Sequence, residues 1–341
     1  MNSLFKKIFL YIIILAVAAA ICPFSVQAGR AAKPLSAKEN IKMKKLTAAM
    51  MIKIYKSTPA EPRNSDLKLI HGAVRLATRR LPQGCAYDGT YWYYLSNLSF
   101  YGKGHSDLRL TRVKYQKNGT YQSDYMTLKG FGHGTNLDCS VYGGKTWLWT
   151  GSDPGKASGS TTTISCFSYK KGSVLKKHAK IRYRIPRSDK KGYAGNCFPA
   201  VDPKSRRLAV RYTGNGKQHF LIYRLKKGRY IDRKRPVRSI SLAHTRGDFQ
   251  GFDIAGKEII TIEGTASRTE RKELHKTYHP IVIRKYNYSS GKRKNITVSG
   301  AKKLSHREPE GIQVNRDGKI LFGLASHYKN EYTCMNIYQL K

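Results

Sequence analysis

Val314-Asn-Arg-Asp-Gly-Lys-Ile-Leu-Phe322 is an apolar lead-in, a tight polar turn and a renewed apolar run. The same phrase occurs four more times. The copies are Ala86-Tyr-Asp-Gly-Thr-Tyr-Trp-Tyr-Tyr-Leu95, Val141-Tyr-Gly-Gly-Lys-Thr-Trp-Leu-Trp149, Val201-Asp-Pro-Lys-Ser-Arg-Arg-Leu-Ala-Val210 and Phe252-Asp-Ile-Ala-Gly-Lys-Glu-Ile-Ile260. From Trp92 through Trp147, Leu208 and Ile259 to Ile320 the spacings are 55, 61, 51 and 61 residues. A repeat of that length made of strands is the signature of a β-propeller blade. Five copies predict an all-β, five-bladed β-propeller.

Working outward, each phrase is followed by further strands. Leu108 to Tyr115 alternates apolar and polar residues, Lys117-Asn-Gly-Thr120 turns, and Tyr121 to Leu128 alternates again. Thr163 to Tyr169 with 179–185, Phe220 to Leu225 with Val237 to Leu242, and Ile281 to Tyr288 with Ile296 to Val298 repeat that layout. Period-two alternation around a Gly- or Asn-containing turn is the hairpin signal. The last blade has Tyr332 to Leu340 and then no further strand, so the segment 67–76 is expected to complete it and close the ring. Closure removes a sheet edge that would otherwise be open to aggregation.

Ahead of the expected propeller (66–341) lie two other segments. Residues 1–28 read as a signal peptide: Lys6 and Lys7 precede the apolar run Ile8 to Ile21, and Val26-Gln-Ala28 is a small-residue cleavage site. Export to the outside or to the cell wall is the expectation. Residues 29–65 read as a basic leader and a short amphipathic helix from about Ser36 to Tyr55. Ser36 with Glu39 forms a capping box, and Ile41, Leu46, Met50 and Ile54 fall near one face. That helix suits a membrane-surface contact, or a spacer packed outside the domain.

The chain carries 64 Lys+Arg against 21 Asp+Glu, a formal net charge of +43. Lys6 and Lys7 are the sole charged residues of 1–28, so this excess belongs to the remainder of the chain and is spread over every blade. Such a field favours a polyanionic partner, and its alternative is a general solubility adaptation. For an exported protein the candidates are an anionic cell-wall polymer, an envelope glycan or an anionic lipid surface. Nucleic-acid binding is disfavoured, because most Tyr positions fit strand alternation rather than a stacking platform. Outside 1–28 the cysteines are Cys85, Cys139, Cys166, Cys197 and Cys334, an odd number. Cys85, Cys139 and Cys197 recur just ahead of the repeated run, which suits small buried residues better than a disulfide framework. No cysteine or histidine spacing suits zinc, no Walker spacing is present, and no cofactor or metal is called for.

The phrases and their surroundings resemble the helveticin J family of large secreted bacteriocins, and the related propeller module of TagC-like proteins and some phage receptor-binding proteins. The resemblance rests on Gly132-His-Gly134, Asn196-Cys-Phe-Pro-Ala-Val201, Gln250-Gly-Phe-Asp253, Glu308-Pro-Glu-Gly-Ile-Gln313 and Ala325-Ser-His-Tyr-Lys329, and spans about 66 to 341. It implies a five-bladed propeller that binds Gram-positive surface polymer of the teichoic acid kind, with no established catalytic mechanism.

Polar residues precede the repeated runs: Gln83, Asn136 with Asp138, Asn196, Gln250 and Glu310. Pseudo-equivalent blades would gather them at one mouth of the channel. There they would bind hydroxyls, or satisfy backbone groups where blades converge. His133, His244 and His306 stand upstream on the same connections, and His327 and Tyr328 follow the last run. A glycosidase needs paired carboxylates. Asp88 and Asp253 are expected in the repeated turn, which leaves Asp138 and Glu310. The chain therefore reads as a binding protein rather than an enzyme.

Overall fold

In the computed structural model each quoted phrase is the innermost hairpin of a separate antiparallel sheet. The structure describes residues 65–341 except 79, 99–106, 117–118, 156–159, 177–180, 233–234, 246, 274–276 and 329–331. The expected signal segment and N-terminal helix lie outside the described residues.

The chain opens with β1 (Leu67–Arg75). Blade 1 follows as β2 (Pro82–Tyr87), β3 (Trp92–Asn97), β4 (Leu108–Tyr115) and β5 (Tyr121–Leu128). Blade 2 is β6 (Leu137–Tyr142), β7 (Lys145–Pro154), β8 (Thr161–Phe167) and, after the short β9 (Val174–Leu175), β10 (Ile181–Tyr183). The β9 pair leaves its own blade and adds in parallel to β5. Blade 3 is β11 (Phe198–Asp202), β12 (Arg207–Gly214), β13 (Lys217–Lys226) and β15 (Arg238–Ala243), with β14 (Tyr230–Ile231) on the far end of β13. Blade 4 is β16 (Phe249–Ala255), β17 (Glu258–Glu263), β18 (Val282–Asn287) and β19 (Arg293–Thr297), with the six-residue helix α1 (Arg268–Glu273) on the β17–β18 connection. Blade 5 is β20 (Glu308–Val314), β21 (Ile320–Tyr328) and β22 (Tyr332–Leu340), and its outermost strand is β1.

The expected closure is therefore present. Leu67 pairs with Leu340 and Arg75 with Cys334, with two register shifts between. At the second shift Ala73 takes a φ of 46°, and its N–H donates to Asn336 Oδ1 at 2.8 Å. The backbone nitrogen of Lys341 donates to the carbonyl of Asp66, so the seam is bonded over its full length.

The core lies between blades, which explains the unbroken apolar runs. Tyr93 and Leu95 pack with Leu137, Leu148 and Phe167 of blade 2, whereas Trp92 and Tyr94 pack with Leu321, Met335 and Ile337 of blade 5. Alternate residues of one strand thus serve two different cores, so both faces of each sheet must be apolar. The other three seams are built alike: Trp149 and Ile164 meet Leu208 and Leu221, Ala209 and Phe220 meet Phe252 and Ile259, and Ile260 and Ile283 meet Phe322 and Tyr338. The five cysteines among the described residues are all buried and free. Burial pushes the Cys85 thiol up to about 12, so it behaves as a small apolar group.

Candidate site at the mouth of the channel

The five innermost strands all run from the connection between blades to the hairpin turn. Three of them start alike, with Gln83-Gly84, Gln250-Gly251 and Glu310-Gly311, and each carries a bulge there. A bulge re-aims the side chain beside it. Gly311 is required by close approach: it has a φ of +98°, and a Cβ there would stand 2.7 Å from the Cys85 nitrogen. The glycines let the strands converge on the axis, with the polar side chain above them.

The expected ring resolves into two tiers. The lower tier is structural. Ala86, Asp138, Ala200, Asp253 and Gln313 occupy equivalent places, and the N–H after each has no inner strand to bond to. Such buried donors need partners. Asp138 accepts from Cys139 of its own blade at 2.7 Å and from Val201 of the next at 2.5 Å. Asp253 accepts from Ile254 at 2.6 Å and from Val314 of the next blade at 2.5 Å. Gln313 accepts from Tyr87 at 2.6 Å. Three side chains thereby satisfy all five donors and stitch blade to blade. Asn136 adds a crossing tie: its amide donates to the Pro199 carbonyl at 2.6 Å and accepts from Phe252 N–H at 2.9 Å, two blades on. Asn136 and Asp138 are therefore ties between blades and not groups held open for a ligand.

Asp253 lies within β16, not in the turn where its phrase placed it. The turn position belongs to Asp88, Asp202 and Asn315, which accept local backbone N–H bonds. Asp88 also accepts from Thr146 of blade 2, and Asp202 from the Gly256 nitrogen of blade 4. Asp253 and Asp138 hydrogen-bond to each other. Burial raises both carboxyls, Asp138 to about 7 and Asp253, which also faces the Asp138 charge, well above the carboxylate range. Asp253 is the proton donor of the pair.

The upper tier is open in character. Glu308, the first residue of β20 and ahead of its bulge, is its centre. Its carboxylate accepts from Gln250 Nε2 at 3.1 Å and from His306 Nε2 at 2.9 Å. His306 meets the His327 ring edge-on at 4.8 Å, and Ser305 holds the His327 backbone by donating to its carbonyl and accepting from its nitrogen. His133 lies 3.5 Å from the Asn97 amide. Burial lowers the His133 pKa, and the Glu308 charge acts in the opposite sense. Glu310 is buried, and burial together with the Glu308 charge holds its carboxyl well above the usual range. Neither Glu310 nor its counterpart Gln83 has a side-chain hydrogen bond among the described residues. Burial and the nearby Glu308 charge thus favour the protonated form of Glu310.

The loop that carries this arrangement is strained. His306 and Arg307 take φ values of 64° and 54° in succession, unusual for non-glycine residues. Arg307 offsets that cost by donating to the carbonyls of Val298 and Gly300, and the His306 carbonyl accepts from Ser267. Of the expected residues, His133, Gln250, His306, Glu310 and His327 come together. Asn196, with a φ of 55°, shapes the entry to β11 and donates its N–H to the Thr161 carbonyl. Tyr328 ends β21 opposite Tyr332, and His244 is exposed and bonds to the next carbonyl. Glu308 and Asn97 were missed by the sequence reading. Glu308 falls outside the repeated phrase, and its one signal is the second acid of Glu308-Pro-Glu310. Among the described residues no group of three or more His, Cys, Asp or Glu is placed to hold a metal ion.

No family model matches this chain. Its geometry defines a five-bladed propeller with a polar mouth, and two known proteins are similar to the chain. A protein of Bacillus subtilis (strain 168), provisionally named major teichoic acid biosynthesis protein C, is 25% identical over 245 residues, 70% of this chain and 49% of that protein. The tail fiber of Staphylococcus aureus phage P68 superposes with a TM-score of 0.56 at 16% identity, covering 85% of this chain and 55% of the tail fiber chain. A glycoside hydrolase covers 86% of this chain at 12% identity with a TM-score of 0.45, too loose a match to carry an argument. The chain spans about half the length of the first two proteins. The tail fiber shares the fold, and the B. subtilis protein shows a weak homology.

Proposed function

We propose that this chain is an exported propeller that recognises an anionic cell-envelope polymer of the teichoic acid type through the upper tier of its channel mouth. The observation that carries the reading is Glu308, held between Gln250 and His306 beside the O–H of Glu310. Such a set offers both a charged acceptor and a neutral donor to sugar or alditol hydroxyls. The net charge of +43 supplies attraction to phosphodiesters. The B. subtilis relative is named for teichoic acid biosynthesis, which supports the polymer class. A bacteriocin role, lethal to related bacteria, is the finer form of this reading.

The test is sedimentation with purified Gram-positive walls before and after chemical removal of teichoic acid, run beside a lysis assay on intact cells. Binding lost on stripping supports the polymer, and lysis supports the bacteriocin role. Equal binding to stripped walls overturns the reading. A second reading, glycan hydrolysis, is favoured by one observation: a proton-holding Glu310 lies near the Glu308 carboxylate. Release of reducing ends from wall polymer would establish it.

A further inference from the structure

The opposite end of the channel, where the hairpins turn, has a different chemistry. At the seam of blades 2 and 3, Tyr142 is 51% exposed and Tyr230 37% exposed, with Val141 beside Tyr142 also exposed. Between them the Arg229 guanidinium lies 4.3 Å from the Trp147 ring centre and 4.9 Å from that of Tyr230. Arg229 Nε is buried and has no hydrogen-bond partner. A guanidinium held over two rings with its Nε–H shut away from water lacks an acceptor for that N–H.

The platform is built rather than incidental. The β13–β14 turn is pressed onto blade 2 by Ser140 Oγ, which donates to the Gly228 carbonyl. Gly228 has a φ of +64°, and a Cβ there would stand 2.8 Å from the Tyr142 Cβ. Only glycine lets the turn seat against Tyr142. Exposed Lys145, Lys226 and Lys227 surround it, and the acid of the same loop is Asp232.

We infer that this seam is a second polymer-binding site, taking a glycosyl ring on Tyr142 and Tyr230 and its adjoining phosphodiester on Arg229 and the neighbouring lysines. Ring faces suit the apolar C–H face of a sugar, and the guanidinium suits a phosphate. The inference takes its ligand class from the proposed function, but its position comes from the platform alone. The two ends of the propeller would then hold separate stretches of one chain, which raises avidity without new contacts at either site.

Trp147 supplies a local readout. Trp92 and Trp149 are buried, so acrylamide quenching of the full chain reports mainly on Trp147. The probes are glycosylated poly(glycerol phosphate), the unglycosylated polymer, dextran and inorganic phosphate. The glycosylated polymer should shield Trp147 from acrylamide, and dextran and inorganic phosphate should shield it little. Tyr142→Ser and Arg229→Gln should each weaken polymer binding by about tenfold, the loss expected for one ring face or one charge-assisted hydrogen bond. Tyr142 is exposed, so that variant should fold. Glu308→Gln should weaken binding but leave the shielding at saturation intact. Binding by the wild type without shielding of Trp147, or with affinity unchanged in both platform variants, overturns this site and leaves the mouth standing. Shielding with full affinity in Glu308→Gln overturns the mouth and leaves this site standing. No binding of any polymer overturns both.

Discussion

Asp138 and Asp253 come from blades 2 and 4, yet they share one hydrogen bond on the channel axis, with Asp253 donating. Between them they accept four of the five orphan backbone donors of the innermost strands. One carboxyl alone, or two ionised ones, would leave the ring either unstitched or repelled. Both carboxyls are raised, so the pair retains at least one proton as part of the fold at neutral pH.

That proton makes stability pH-dependent with a definite sign. An unfolded aspartate releases its proton near 3.8, while in the fold burial raises Asp138 to about 7 and Asp253, which also faces the Asp138 charge, well above its ordinary value. The native state therefore holds more protons than the unfolded state between about pH 4 and 7. The stabilisation is full below the unfolded pKa and is lost as pH rises through that window. Asp253→Asn supplies a permanent donor to Asp138 but one acceptor oxygen fewer. It should cost about 1–3 kcal/mol at pH 5 for an orphaned N–H. Its melting temperature should also fall less than the wild type's between pH 5 and 7.5. Parallel pH profiles for the two proteins would remove the shared proton from the explanation.

The blades were legible because their cause is local. Four apolar residues in a row at Trp92–Leu95, bounded by Asp88-Gly89 and a polar stretch, require a strand buried on both faces, and the phrase recurs at blade spacing. Closure was legible for the complementary reason, a last blade short of one strand. The site was legible only in outline. Asn136, Asp138 and Gln250 sit in similar phrases, but an axial offset of a few residues, about 3.3 Å each, separates a blade tie from a mouth residue. Which carboxylate meets which backbone nitrogen across the channel depends on the ring as a whole. Glu308 was passed over because the repeat has no counterpart for it in the other blades.

Asn336 holds the closing seam. It is fully buried, accepts from the Ala73 nitrogen, and donates to the Leu324 carbonyl and Ser326 Oγ. Asn336→Leu removes the amide but leaves three buried polar groups without it. The expected loss is about 2–4 kcal/mol in urea unfolding. A change below about 0.5 kcal/mol, the level of an ordinary surface substitution, would show that closure does not depend on this amide.

Charge should govern capture. Exposed Lys and Arg contacts to phosphodiesters are screened beyond about 8 Å at physiological ionic strength. Wall binding should weaken steeply between 50 mM and 500 mM NaCl, chiefly through slower association. Undiminished binding in molar salt would assign recognition to neutral hydroxyls at the mouth alone.

Glu310 separates a binding mouth from a catalytic one. Burial raises its carboxyl well above the usual range, with the Glu308 charge adding to the effect, which favours a neutral group that can both donate and accept. Glutamine reproduces both capacities and nearly the same shape. If the mouth only binds, Glu310→Gln should change polymer affinity by less than about threefold, while Glu310→Ala, which opens a hole and removes the donor, should cost about tenfold. If the mouth hydrolyses a glycosidic bond, Glu310 is the group able to deliver a proton to the leaving oxygen, and glutamine cannot do so. Turnover in Glu310→Gln should then fall by about 10²–10⁴-fold with affinity preserved. Glu308→Gln acts differently in either case, because it removes the charge that His306 and Gln250 both address. It should weaken binding more than Glu310→Gln does. Measuring affinity and product release for all three variants, with melting temperatures to confirm that each is folded, distinguishes the cases. Equal affinity in all three would move recognition away from this mouth altogether.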